Sequence, residues 1–336
     1  MAPLRVFAFD YLVEGGAMTR SLPRSFVRQG GMLFDALLAD LAAVPGVEVC
    51  TMAQGAPDAS AVGGAQPRAS FDARFAACVA AADAVWPLAP ESEGLLENLS
   101  REILRAKRIL LGSAPGAVRV AASKIKLARA LADGGVATVP TYRPHAALPD
   151  CEGAWVVKPE DGVGCLDTRL FSDRAAALAW IRTSAAQGYV LQPFIAGKLG
   201  SLSLMCCDGT ARLLARNLER VAVRDNRFHF LGSTVNGLAD PDGALERLAQ
   251  QVAAALPTLW GYVGVDIILG ERGAVVLDVN PRLTAAYAGL HASIGCNPAG
   301  LAIDLLKGPA ALPAPLTRRS AVSVDLGSFP GEATPV

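Results

Sequence analysis

Short β-branched and aromatic runs alternate with longer amphipathic stretches through the first third of the chain. Arg5–Phe9 reads as a strand, followed by a Gly15-Gly16 loop, a helix around Ser25–Leu41, a strand at Val47–Met52 and a polar, Gly/Pro-rich connection over Gly55–Arg68. A helix around Phe71–Ala82, a strand at Ala84–Leu88, a helix from about Glu91 to Ala106 and a strand at Arg108–Leu111 complete this part. Such alternation predicts a small parallel sheet, whose ligands collect at the carboxyl ends of its strands. Asp10, Tyr11, Glu14, Gly15 and Gly16, and Ala89 to Glu93, stand at such ends. Ordinary loop residues are the alternative reading of these positions.

Further along, Ala121–Gly134 reads as one helix that carries Lys124 and Lys126 and ends at Gly134-Gly135. Residues 140–149 form a linker. A strand at Trp155–Lys158, a Gly-rich loop, a strand at Thr168–Phe171, a helix over Arg174–Ala186 capped by Ser172 or Asp173, and a strand at Tyr189–Ile195 follow. Ser201–Cys207 and Ala211–Glu219 read as a hairpin around Asp208-Gly209, Phe230–Gly237 as a loop, and Asp242–Leu256 as a helix. Beyond about residue 312 the Pro/Ala/Ser-rich chain is expected to be peripheral. There is no internal repeat.

The densest pattern is Gly264–Arg282. Two β-branched runs flank Gly270-Glu271-Arg272-Gly273, which predicts a hairpin whose three-residue loop, with Gly273 left-handed, pairs Gly270 with Ala274. In that register Asp266 sits opposite Asp278, and the period of two puts Asp266, Asp278 and Asn280 on one face. Val265, Ile267, Leu269, Val275, Leu277 and Val279 share the other, apolar face. Facing carboxylates repel. A cation between them relieves the repulsion, and Mg²⁺ takes oxygen ligands of this kind. A solvated face with incidental acids is the alternative; Asn280 and Arg282, following at once on a Pro-punctuated strand end, weigh against it.

Composition narrows the picture. Of 336 residues 52% are apolar and 18% charged, which marks a globular chain with room for two or three subdomains. Lys plus Arg and Asp plus Glu both number 31, and the pI is about 6.8. Nucleic-acid partners call for clustered positive charge and are not expected. No apolar run approaches the ~20 residues of a membrane span, and the first residues read as a strand rather than a signal peptide, so a cytoplasmic protein is expected. The seven cysteines match no zinc spacing and are expected to be buried thiols in a reducing compartment. His145, His229 and His291 are scattered and read as structural.

Val156-Val157-Lys158-Pro159-Glu160-Asp161-Gly162-Val163-Gly164 is a strand, a lysine and a Gly-rich loop. Glycines let backbone N–H groups approach an anion, and a lysine at the strand end supplies a point charge for phosphate. The loop is not a Walker A motif, since no Gly-Lys-Ser/Thr follows, and not a dinucleotide fingerprint, because no helix opens after the glycines. A plain hairpin loop is the alternative reading.

Taken in order, a Lys-bearing helix, a strand lysine with a Gly loop, an extended Gln-Pro-Phe-Ile segment, and paired acids with Asn and Arg resemble the ATP-grasp superfamily over residues 113–310. The resemblance implies an α/β and α+β architecture: an N-terminal small parallel-sheet domain (1–112), a central lobe (113–187) and a C-terminal lobe with the metal site (188–312), the two lobes clamping ATP, and a peripheral tail (313–336). It implies that Lys124, with Lys126 as its substitute, and Lys158 contact the nucleotide phosphates. Gly162 and Gly164 would belong to the loop over the phosphates, and Gln192, Pro193 and Phe194 to the hinge that reads the adenine. Asp266, Asp278 and Asn280 would bind one or two Mg²⁺ ions, with Mn²⁺ as a substitute, and Arg282 would stand beside the transferred phosphoryl. Arg216 is a second candidate cation near the substrate; a solvated strand arginine is the alternative. Both metal positions are Asp where the family usually has Glu. Lys198 follows the hinge, where an acid often contacts ribose.

By the same resemblance the chain would be a ligase that activates a small-molecule carboxylate as an acyl phosphate and passes it to an amine. Phe9-Asp10-Tyr11, Gly15-Gly16, Arg216-Asn217 and Phe230–Gly237 are similar to the tyramine–L-glutamate ligase type of methanofuran and methylofuran biosynthesis. That type implies glutamate, or another amino acid, as the acid and tyramine as the amine, with a homodimer compatible with it. A D-alanine–D-alanine-like or other amino-acid or dipeptide ligase is the second reading, and a non-catalytic ATP-binding regulatory protein the third.

Overall fold

The computed structural model describes residues 2–16, 24–52, 68–184, 188–317 and 319–326. The expected connection over Gly55–Arg68 lies almost wholly outside them. The N-terminal part runs β1 (Leu4–Asp10), α1 (Arg24–Ala42), β2 (Val47–Cys50), α2 (Arg68–Ala81), β3 (Ala84–Leu88), α3 (Leu95–Arg105) and β4 (Ile109–Leu110). Its strands form a parallel sheet in the order β2-β1-β3-β4. Flanked on both sides, β1 buries both of its faces, which is why its sequence is a continuous apolar run. Val6 and Ala8 enter one core, with Leu37 of α1; Phe7 and Phe9 enter another, with Phe75 of α2 and Ile103 of α3.

The chain continues through α4 (Pro115–Ala122), α5 (Lys124–Asp133), β5 (Trp155–Pro159), β6 (Arg169–Phe171), α6 (Arg174–Thr183) and β7 (Tyr189–Pro193). Then come β8 (Lys198–Cys207), β9 (Thr210–Arg224), β10 (Arg227–Val235), α7 (Ala244–Ala255), β11 (Gly261–Gly270), β12 (Gly273–Asn280), α8 (Tyr287–Ile294), α9 (Pro298–Asp304) and β13 (Val322–Asp325). Among the described residues these strands build a second sheet in the order β12-β11-β8-β9-β10-β6-β5-β7, with β13 beside β10. One face packs Leu202, Leu204, Val263, Val265 and Ile267 against Leu245, Leu248 and Val252 of α7 and Leu127 and Leu131 of α5. On the other face Met205, Ala215 and Tyr262 join Leu37 of α1 and Tyr287 and Leu290 of α8 in the core that also holds Val6 and Ala8. That shared core fixes the parallel sheet against the second sheet.

Four expectations change. The single helix over 121–134 is two helices, broken at Ser123, whose extended backbone (φ −102°, ψ 110°) and side chain cap α5 by accepting from the Lys126 amide at 3.2 Å. A serine that satisfies helix-end N–H groups favours a boundary over helix interior. The expected loop at Phe230–Gly237 is mostly strand β10, with a register shift between Phe230 and Gly232, the latter at φ +139°. The chain beyond 312 is not wholly peripheral, since β13 pairs with β10 from Val322↔Val235 to Asp325↔Gly232. The cysteines are all free, but Cys151 is exposed, and of the others only Cys78, Cys206 and Cys207 are buried. Strand β7 pairs with β5. No helix of the described residues is long and apolar enough to cross a membrane.

Candidate active site

A cavity of about 690 Å³ opens between the carboxyl edge of the parallel sheet, the β5–β6 loop and the polar face of the second sheet. Asp266, Asp278, Asn280 and Arg282 line its floor. Asp266 is paired directly with Asp278, as the hydrophobic pattern predicts, but by a different route. Gly270 pairs with Gly273 across a two-residue turn, which alone would displace the register by one. A bulge between Asp266 and Ile267 restores it, leaving Leu277 as the extra residue of β12. Val276 therefore faces the core opposite Ile267, and Leu277 lines the cavity, the reverse of the regular alternation. Gly273 does take a positive φ, +104°.

The two lysines arrive from different elements. The break at Ser123 puts Lys124 at the first turn of α5, and the start of that helix is docked on the β5–β6 loop. The Lys124 amide donates to the Glu160 carbonyl at 3.1 Å, and the Ser123 hydroxyl bonds the Glu160 carboxylate. The Lys124 side chain is buried; its Nζ donates to the Gly162 carbonyl at 2.7 Å and lies 3.3 Å from Asp278 Oδ2. One ammonium thus ties the Gly loop to the acid pair. Lys158, on β5, lines the same cavity. Burial, with the Lys124 charge nearby, pushes its amine down to about 8, against the pull of Asp278 and Asp266. Lys126 and Lys198 are exposed and do not line the cavity.

Gly164, at φ +58°, lines the cavity, whereas Gly162 reaches the site through its carbonyl. A Cβ on Gly162 would stand 2.9 Å from Pro159 Cβ, so the loop's tight path needs glycine there. Gln192, Pro193 and Phe194 line the opposite wall; buried Gln192 donates from Nε2 to Thr141 Oγ1 at 2.8 Å.

Burial raises the Asp266 carboxyl to about 6, with the Asp278 charge adding to the effect, while the Asn280 side chain, donating to Oδ2 at 3.1 Å, and Arg282 offset part of it. Arg282 Nε donates to Glu91 Oε2 at 2.8 Å, and its Nη1 to the Leu283 carbonyl at 3.0 Å. Burial alone would lower the Arg282 guanidinium, but the Glu91 carboxylate, with Asp266 and Asp278, outweighs it and holds the charge. Glu91 and Asp10 come from the carboxyl edge of the parallel sheet, so both domains supply the site. Burial raises Asp10, against the Val13 and Leu12 amides and Arg282. Asp10, Ala89 and Pro90 line the cavity, and Glu91 meets it through Arg282.

Arg216 is not brought to the site. It pairs with Leu202, whose side chain is in the core on the far face of the sheet, while its neighbour Asn217 faces Ser201. A register shift between Ser203 and Leu204, with Leu214 as the extra residue of β9, decides which face each takes. In its place the structure brings in Glu219, three residues on and on the cavity side. Ser201 bonds Glu219 Oε1, Ser233 donates to the same oxygen at 3.4 Å, and Oε2 is buried with no hydrogen-bond partner among the described residues. Burial pushes this carboxyl up to about 8. The only sequence signal for Glu219 is an acid on an otherwise basic and apolar strand, which does not separate it from a surface residue.

The family model of the ATP-grasp domain matches residues 121–286, and that of the pre ATP-grasp 3 domain matches residues 52–118. The chain belongs to the ATP-grasp superfamily. It is 28% identical over 203 residues to a tyramine–L-glutamate ligase of Methanocaldococcus jannaschii, a match spanning 60% of this chain and 56% of that protein. It is 26% identical over 208 residues to a tyramine–L-glutamate ligase of Methanocaldococcus fervens, spanning 62% of this chain and 61% of that protein. The match thus covers less than two thirds of either relative. Among solved structures, one described as an ATP-grasp superfamily protein from Archaeoglobus fulgidus superposes with a TM-score of 0.67 at 21% identity, covering 95% of this chain and 91% of that one.

The ATP-grasp cleft of this chain suits a hard cation in its donor chemistry. Asp266, Asp278 and the Asn280 carboxamide offer oxygen on one face, and Mg²⁺ prefers oxygen ligands from one or two carboxylates together with substrate phosphates. Among the described residues no group of three His, Cys, Asp or Glu side chains is placed to hold a metal, so any ion would depend on Asn280 and on the nucleotide to complete its shell.

Proposed function

We propose that the protein is an ATP-dependent carboxylate–amine ligase that works through an acyl phosphate. The observation that carries this reading is the Lys124 ammonium, shared between the Gly162 carbonyl of the phosphate loop and the Asp278 carboxylate. It links the part of the cleft that suits phosphates to the part that suits a cation. Lys124 and Lys158 would hold the transferable phosphates, and Gln192, Pro193 and Phe194 the adenine. Asp266, Asp278 and Asn280 would hold Mg²⁺, which would supply neutralisation of the nucleotide's phosphate charge. Arg282, oriented by Glu91, would stabilise the negative charge that develops on the acyl phosphate and on the tetrahedral oxyanion formed when the amine attacks. The carboxylate oxygen attacks the γ-phosphorus and ADP leaves. The amine nitrogen then attacks the acyl carbon and phosphate leaves, giving an amide.

For the substrates we propose L-glutamate as the activated acid and tyramine or a similar primary amine as the acceptor, on the likeness to the two Methanocaldococcus ligases. The test is ADP release from MgATP with each protein amino acid, with and without tyramine. Release that requires L-glutamate, accompanied by a new amide on addition of tyramine, is the expected result. Release with a different acid would correct the substrate and keep the chemistry. Tight ATP binding with no ADP release under any combination would favour a non-catalytic nucleotide-binding protein.

A further inference from the structure

Glu219 is a half-buried acid at the cleft that the mechanism above does not use. It lies on β9, two strands from Asp266 across β8, and Ser201 stands between them, paired in register with Asp266. At about 4.8 Å per strand the backbones of β9 and β11 are roughly 10 Å apart, and the Asp266 charge still reaches Glu219 and raises its carboxyl further. Its Oε1 is held by the Ser201 and Ser233 hydroxyls, and Ser201 is in turn held by the Asn217 carboxamide at 3.1 Å. Among the described residues its Oε2, buried as an atom, has no hydrogen-bond partner. The adjacent Arg220 is turned away to Asp325 and the Val324 carbonyl. A carboxyl withdrawn from water without a cation beside it is held toward its neutral form, and a cation entering the cleft would favour its carboxylate.

Two cations are conceivable in a ligase cleft: the metal and the protonated amine. The arrangement favours the amine. Among the described residues no group of three carboxylate, thiol or imidazole side chains converges on one point, so Glu219 does not join Asp266 and Asp278 around a single ion. With Oε1 occupied by hydroxyls, the one free oxygen suits a single N–H donor rather than a hard divalent ion that demands several oxygens.

We propose that Glu219 binds the ammonium group of the acceptor and takes up its proton, so that the neutral amine can attack. This rests on the ligase reading and names the group that handles its second substrate. In the step, R–NH₃⁺ and the Glu219 carboxylate become R–NH₂ and the Glu219 carboxylic acid. The freed lone pair forms the C–N bond, the acyl carbon–oxygen bond to phosphate breaks with its electron pair on the leaving phosphate, and the second amine proton is released with the phosphate. A carboxyl that burial already pushes up to about 8 is far better matched to an alkylammonium than an ordinary glutamate.

The test separates the two half-reactions in the full-length protein with MgATP and L-glutamate. Hydroxylamine, which is uncharged at neutral pH and needs no base, traps the acyl phosphate as hydroxamate; tyramine reports the second step. In E219Q we expect unchanged ATP affinity, hydroxamate formation within about twofold of wild type, and amide formation with tyramine reduced about 100-fold or more, the scale of a lost general base, with a higher KM for tyramine. E219A is carried through the same assays, so that a folding defect in one variant leaves the other to decide. Amide formation at the wild-type rate in either folded variant overturns the proposal. So does loss of hydroxamate formation or of Mg²⁺ dependence in a folded variant, which would place Glu219 with the metal. If the wild type forms no hydroxamate from any protein amino acid, the ligase reading falls and this inference with it; hydroxamate in both proteins with undiminished amide overturns the inference alone.

Discussion

Asp278 and Lys158 carry opposite charges toward the same cleft, and each has a distinct expected phenotype. Asp278 meets Lys124 at 3.3 Å and faces Asp266 across the ladder. D278N removes the charge and keeps the shape, so turnover should fall by about 100-fold or more, as for other groups aimed at transition-state charge. Its melting temperature should stay close to wild type, because the repulsion with Asp266 is relieved as the Lys124 pair is weakened. Full activity in D278N would remove Asp278 from the metal site. K158A should weaken ATP binding by about tenfold or more, the scale of one charge-assisted hydrogen bond, measurable by calorimetry; unchanged ATP affinity would refute its role. At this scale Lys124, Lys158, Asn280 and Arg282 were legible as cleft residues because each is chemically distinctive and stands at or just beyond a strand or helix end, and Asp266 and Asp278 because the ladder pairs them. Glu219 was not, since nothing local tells a buried acid from a solvated one.

At the scale of elements, bulges decide which residues reach the cleft. The extra residue at Leu277 compensates the shorter turn and keeps Asp266 opposite Asp278. The extra residue at Leu214 sets the parity of β9, turning Arg216 away and Asn217 toward the polar face. A one-residue shift reverses every side chain of a strand, so parity could be read from period two only where no bulge intervenes. Helix boundaries follow the same logic: Ser123 splits the expected helix and places Lys124 at the new N-terminus, facing the Glu160 carbonyl. S123A should cost about 1 kcal/mol through the lost cap and should also raise the KM for ATP, because Ser123 anchors Glu160 of the phosphate loop. A stability loss with unchanged KM would confine Ser123 to capping.

For the whole molecule, the site exists only where the two sheets meet. Glu91, from the N-terminal domain, holds Arg282 of the ATP-grasp domain, and both side chains are largely buried. E91A leaves a buried guanidinium unpaired and should destabilise the protein by about 3 kcal/mol while lowering kcat; a variant with wild-type melting temperature and kcat would show that the pair is not needed to join the domains. Stability should also depend on pH in a way set by the cleft. Asp266 and Glu219 have folded-state values raised to about 6 and about 8 from 3.8 and 4.5, so the folded state binds more protons than the unfolded chain between those limits. Where the folded state binds more protons, stability falls as pH rises. The metal-free protein should therefore lose stability progressively from about pH 4 to 8. Lys158, lowered from 10.5 to about 8, acts in the opposite sense between those two values. Saturating Mg²⁺, favouring ionised Asp266, should flatten the part of the slope below about pH 6; chelation that leaves the melting profile unchanged at every pH would argue against a metal at Asp266.

The local pattern of this chain determined the parallel N-terminal sheet, most strands and helices, the hairpin carrying Asp266 and Asp278, and the Gly-rich loop that follows Lys158. These depend on periodicity and on residue chemistry, which are properties of short segments. Only the tertiary structure decided that β10 is a strand paired with β13, that Arg216 faces away, that Glu91 orients Arg282 across 191 positions, and that Glu219 sits unpaired at the cleft. The physical reason is that bulges, inter-sheet packing and the burial of a charge are set by partners distant in sequence, and no local window contains them.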